Sequence, residues 1–129
     1  MPTDNATIIP AGTDVQFPSD GPASGTIARS TATQFTLPNI GIYEVNFQVS
    51  ITEAGQLVVT LNGTELLYTV VGRLTGTSQI VGVCLVQTIL DNSLLSIRNP
   101  LGSLIPLTVT ALAGGTDPVS AHLVIKRVI

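Results

Sequence analysis

The sequence predicts an all-β protein: a two-sheet antiparallel sandwich of the jelly-roll class, whose copies assemble into a closed symmetric oligomer. Three observations carry this expectation. From Thr31 onward, runs of β-branched and aliphatic residues alternate with turn signals at the short intervals of a sandwich, not the longer ones of βαβ units. No window holds a helical period. The third observation is compositional: of 129 residues, 44% are apolar and 10% are charged, with a mean hydropathy of +0.50. A chain of this length fits one domain and can withdraw about two thirds of its unfolded surface from water. Two packed sheets need one apolar face each, so the surplus of apolar faces points to burial between identical copies in a closed symmetric oligomer.

Taken in order, the first region to about Gly25 is rich in breakers, with Pro2, Pro10, Gly12, Pro18, Gly21 and Pro22. Residues 1–12 are expected to form a flexible lead or stalk junction, and residues 13–129 the folded head. Only Asp14-Val15-Gln16-Phe17 reads as a short strand in this region. Phe35 and Leu37 belong to a strand that ends at Pro38-Asn39. The clearest strand runs from Gly41 to Thr52, where Tyr43, Val45, Phe47, Val49 and Ile51 share one face and Ile42, Glu44, Asn46, Gln48 and Ser50 the other.

Gln56 to Leu61, then Asn62-Gly63, then Thr64 to Val71 reads as a hairpin, because Asn-Gly supplies the two positive φ angles of a type I′ turn. Ser78 to Leu90 is apolar on both faces: Ile80, Cys84 and Val86 oppose Val81, Val83 and Leu85. Such a strand must be covered on both sides. Asp91-Asn92 turns the chain into Ser93 to Arg98, which Asn99-Pro100-Leu101-Gly102 closes. Leu107 to Thr110 follows, then a loop from Ala113 to Pro118, and a last strand from Ser120 to Val128.

These residues carry a resemblance. Gly41-Ile42-Tyr43-Glu44-Val45-Asn46-Phe47 is similar to the Gly-x-Tyr-x-x-x-Phe strand of the TNF-like and complement globular-head trimers. The hairpin at Asn62-Gly63, the apolar strand at 79–89, the Asp91 turn and the terminal strand fall in that fold's order. The composition, rich in Thr, Ile, Val and Gly and without Trp, and the ending His122-Leu123-Val124-Ile125-Lys126-Arg127-Val128 most resemble the C-terminal heads of bacterial collagen-like proteins of the spore-surface (exosporium) BclA type. Similar heads occur on virus and phage fibres.

The resemblance spans roughly residues 13–129. It implies a homotrimer crowning a collagen-like stalk, although the chain itself contains no Gly-X-Y run. It also implies an extracellular or particle-surface location, on a spore exosporium or appendage or on a virion fibre. In the resembled fold the inner sheet lines the threefold axis, which makes Tyr43, Phe47, Val81, Val83, Leu85, Leu123 and Ile125 candidates for the trimer interface or the core.

The function that follows is a structural trimerisation and tip domain of a surface fibre, with attachment to a host or environmental surface as its consequence. The alternative is a TNF-like or lectin-like module that recognises a receptor or glycan. Glycan sites favour an aromatic platform, and the chain offers little beyond Tyr68.

Other classes find no support. The basic residues Arg29, Arg73, Arg98, Lys126 and Arg127 form no phosphate-tracking stripe, and the net charge is −3, so nucleic acid is not an expected partner. No segment approaches the roughly 18 apolar residues of a membrane helix, and the N-terminus lacks signal-peptide zones. Cys84 sits in an apolar run and reads as a small core residue. His122 with Asp91 or Asp117 lacks a nucleophile motif, so no enzyme is expected. No metal or cofactor is assigned: Asp20, Asp91, Asn92 and Asp117 lie in loops but without an Asp-x-Asp pattern, and read as turn formers.

Overall fold

The computed structural model describes residues 7–74, 79–110, 114–117 and 121–129. Eleven strands occur among them: β1 (Thr7–Ile9), β2 (Ala28–Arg29), β3 (Phe35–Leu37), β4 (Ile42–Ser50), β5 (Gly55–Leu61), β6 (Thr64–Glu65), β7 (Val71–Arg73), β8 (Gln79–Gln87), β9 (Ser93–Arg98), β10 (Leu107–Val109) and β11 (Ala121–Arg127). The only helical element among the described residues is a single 3₁₀ turn, Leu67–Thr69.

Three sheets form. One has the order β11-β4-β8, the second β2-β3-β9-β5-β6 with β7 also on β5, and the third is the pair β1-β10. Every strand pair is antiparallel. The chain crosses from β4 in one large sheet to β5 in the other, returns to β8, and crosses again to β9. This is a jelly-roll-like sandwich.

Side-chain alternation explains the core. Tyr43, Val45, Phe47 and Val49 of β4 are buried, while Ile42, Glu44, Asn46 and Gln48 are half-buried on the opposite face. Their cross-strand partners on β8 are Val86, Cys84, Gly82 and Ile80, and on β11 Arg127, Ile125, Leu123 and Ala121. From the facing sheet come Leu37, Leu57, Val59, Leu95 and Ile97, with Val15 and Phe17 from the segment before β2. Phe17 meets Phe35 edge-on with centroids 6.1 Å apart. Gly82 is required where it stands: a Cβ there would collide with Cζ of Phe47.

The Asn62-Gly63 hairpin forms with φ of 51° and 82°, the two positive angles a type I′ turn needs. Its second strand is shorter than the Thr64 to Val71 expected, because Thr69 interrupts it. The Thr69 hydroxyl donates to the Leu66 carbonyl at 2.7 Å and accepts from the Val59 N–H at 2.9 Å. That local bonding closes the 3₁₀ turn and splits the strand into β6 and β7. Asn92, in the predicted turn after β8, also has a positive φ, 56°.

Among the described residues Asp14 to Phe17 makes only one bridge, Asp14 with Arg98, although Val15 donates to the Ile97 carbonyl at 2.7 Å. Within the lead expected at residues 1–12, Thr7–Ile9 pairs with β10 and Ile9 is buried. The buried Asn99 amide explains this, donating to the Ile9 carbonyl at 2.9 Å while the Gly12 N–H donates to the Asn99 carbonyl at 2.8 Å. Residues 1–6, Ser78, Ala113, Pro118 and Ser120 of the sequence expectations lie outside the described residues.

Candidate assembly face

The residues singled out from sequence separate into three groups. Tyr43 and Phe47 lie in the core, and the Tyr43 hydroxyl donates to the Asn39 carbonyl at 2.6 Å. Their faces are used up within one protomer. Leu123 and Ile125 point the same way from β11 but are half-buried, because β11 is the outermost strand of its sheet and the sandwich gapes there. Val81, Val83 and Leu85 point outward from β8 and are 54%, 66% and 55% exposed.

The outward face of the β11-β4-β8 sheet is therefore a grid whose chemistry changes by column. Register sets His122, Gln48 and Val81 in one row, then Val124, Asn46 and Val83, then Lys126, Glu44 and Leu85. The β8 column is apolar over three successive outward positions, the β4 column is polar, and β11 alternates. Asn46 donates to the Glu44 carboxylate at 3.1 Å, so the polar column is internally bonded. Val124, 58% exposed on this face, is not among the sequence candidates; Leu123 and Ile125, which the resemblance singles out, alternate with it and lie on the other side of the strand.

The outer edge of β8 is partly closed. Tyr68, on the 3₁₀ turn, donates its hydroxyl to the Leu85 carbonyl at 2.8 Å. Burial holds the Tyr68 phenol above its ordinary pKa, with the Cys84 thiol adding to the rise. Cys84 itself faces inward, half-buried, and burial pushes its thiol up as well, which disfavours the reactive thiolate.

The loop residues considered as ligands hold other positions. Asp20 is engaged by Arg29 at 2.6 Å, and Asn92 forms its turn. Among the described residues no group of three or more His, Cys, Asp and Glu comes together. His122 lies beside Gln48, near the start of β11, whereas Asp91 follows β8 at the opposite end of the sheet, so those two are not brought together.

At the other end of the sandwich Glu53 fastens β10 to the turn before β5. Its carboxylate accepts from the Thr108 N–H at 2.7 Å and the Thr108 hydroxyl at 2.6 Å. Burial works to raise its pKa, but these bonds, with one from Thr52, outweigh it and hold the group below its ordinary value. Beside it Arg73 donates to the carbonyls of Ile51 and Glu53. Sequence reasoning had no signal for this cluster, since its members are far apart in the chain.

A search of curated proteins finds no match. The sequence model of one family, described as the BclA C-terminal domain, matches residues 3–129. With the all-β antiparallel sandwich and nearly the whole chain inside that match, the protein belongs to the BclA C-terminal domain family, the C-terminal domains of collagen-like exosporium proteins.

Proposed function

We propose that this chain is the trimerisation and tip domain of a collagen-like fibre on the spore exosporium, a structural head without catalytic activity. The observation that carries this reading is the Val81-Val83-Leu85 column, more than half exposed while the opposite face of β8, through Ile80 and Val86, is buried in the protomer's own core. Monomeric proteins expose single apolar residues freely, but a contiguous apolar stripe beside a polar one marks an interaction surface. Membership of the BclA C-terminal domain family supports a collagen-like partner stalk and the exosporium location.

The physical task of such a head is registration. Collagen-like chains must meet three at a time and in register before they wind, and a trimeric head holds their ends at high effective concentration. Attachment of the fibre tip to a surface is the second part of the reading. The test is to compare a Gly-Pro-Pro repeat peptide alone with the same peptide fused before residue 1. Light scattering of the fusion should return three times the chain mass, and its triple-helix circular dichroism should recover faster after melting. Equal recovery rates with and without the head, or a single-copy mass at micromolar concentration, would overturn it.

A further inference from the structure

The two edges of the β11-β4-β8 sheet differ. At β8 the Leu85 carbonyl is capped by Tyr68. At β11 the hydrogen-bonding direction can be worked out residue by residue. Gly41 accepts from the Thr88 N–H at 2.9 Å on the β8 side, and Ile42 accepts from the Val128 N–H at 2.7 Å on the β11 side. Alternation along β4 then makes Lys126 with Glu44 and Val124 with Asn46 bonded rungs, so Leu123, Ile125 and Arg127 turn their N–H and C=O groups away from β4.

What they face is a cleft of about 480 Å³ between β11 and the loop through Pro22 and Ser24, continuing into a second of about 370 Å³ towards Arg127. Ile27, Phe35, Leu123 and Ile125, half-buried at the margin of the core, form its apolar floor.

We infer that this cleft takes an extended, acidic peptide segment of another protein, which joins the sheet as a strand beside β11. The outward backbone groups recur every second residue, about 6.8 Å apart, and an extended backbone is the ligand whose donors and acceptors repeat at that spacing. Alternate side chains of the added strand would fall on the apolar floor. Charge selects among extended segments: Lys126 and Arg127 line the second part of the cleft, with no carboxylate among the described residues around it. The rim carboxylate of Asp20 is already held by Arg29.

A second copy of β11 is a poorer occupant. It would bring its own Lys126 and Arg127 to the cleft and no carboxylate to meet those already there. The site lies at the opposite edge of the sheet from β8, so it stands or falls separately from the trimer reading.

The test uses the full chain and a blocked synthetic heptapeptide, Glu-Val-Thr-Val-Thr-Val-Glu, with a control peptide N-methylated at its central residues. Amide hydrogen exchange should slow by roughly tenfold or more at Leu123, Ile125 and Arg127 on adding the peptide. Val124 and Lys126, already bonded to β4, should not change, and the control peptide should have no effect. Ser24→Trp, at an exposed position lining both parts of the cleft, should weaken binding by roughly tenfold with the melting temperature retained. The proposal is overturned by absence of peptide-dependent protection at millimolar peptide, or by protection confined to Val81–Leu85. Protection of the three outward amides in the free chain also overturns it, and its concentration dependence would tell a second copy from the chain's own residues.

Discussion

Substituting Val83 by Asp separates the protomer's own stability from that of the assembly. Val83 is 66% exposed in the single protomer, so covering it in a trimer is worth about 1–2 kcal/mol per copy, two thirds of the ~1.5–3 kcal/mol for burying such a side chain. Three copies lose about 3–6 kcal/mol, which weakens association by roughly two to four decades at about 1.4 kcal/mol per decade. The carboxylates add to this. Their neighbours on the face are Val81 and Leu85 along the strand and Asn46 across it, none of them a cation, so each buried charge costs several kcal/mol more. The protomer hardly registers the change, because substitution at an exposed site alters folding stability by about 0.5 kcal/mol or less. Sedimentation equilibrium at micromolar concentration should therefore show a species of three chain masses for the parent and one for Val83→Asp, with far-ultraviolet circular dichroism unchanged. Val45→Asp, buried between Cys84 and Ile125, should instead fail to fold. A folded Val83→Asp species of threefold mass would refute the placement of this residue at a seam, and an unfolded one would refute its exposure in the protomer.

Three further outcomes are expected. Gly82→Ala should lower stability by about 1–3 kcal/mol through overpacking against Phe47, seen as a drop in melting temperature that Phe47→Leu in the same chain partly restores. Tyr68→Phe should cost about 0.5 kcal/mol, the low end for an exposed hydrogen bond, in urea unfolding. Because the folded-state phenol titrates above its ordinary value, its contribution is full below the unfolded pKa and lost as pH rises through the folded one, so the parent should lose stability in alkali where Tyr68→Phe does not. Glu53 is the reverse case. Its folded pKa is depressed, so its contribution is present above the unfolded carboxylate range and lost as pH falls through the folded value, and Glu53→Gln should flatten the acid limb of a stability–pH profile.

Long periodic strands were legible in the sequence because their signal is local. The faces of β4 and β8 follow from period two alone, and the Asn62-Gly63 turn follows from the chemistry of positive φ. Short elements were not legible, since their partners are remote. β1 is three residues long and β2 two, and each exists because another strand receives it; for β1 the receiver is β10, fastened through Asn99. The Thr69 turn was missed for a related reason: a threonine is an ordinary strand residue until its hydroxyl finds Leu66 and Val59. For the candidate face, the sequence identified Val81, Val83 and Leu85 but not which of the two apolar faces of β8 the protomer itself covers. That depends on Phe47 occupying the space over Gly82, a contact between strands that no local pattern encodes.

The scarcity of charge also has a structural reason, which sharpens the case for an assembly. Arg98 and Asp14, 2.8 Å apart and 18% and 13% exposed, bind the first segment of the head to β9. Arg29 holds Asp20 at 2.6 Å while its guanidinium lies 5.1 Å from the centroid of Phe35, closing the margin of the core. Arg73 and Glu53 fasten the end near β10. Much of the charge is thus engaged in joining segments of one protomer, and the β8 column is left without a charged residue among Val81, Val83 and Leu85. A lone soluble sandwich gains nothing from such an arrangement, because an uncharged apolar edge invites non-specific pairing with other chains. A head that meets two copies of itself gains a desolvated seam with no charge to bury. The polar column of β4 beside it then limits the seam's width, since Glu44 and Asn46 already bond each other and would be costly to bury further.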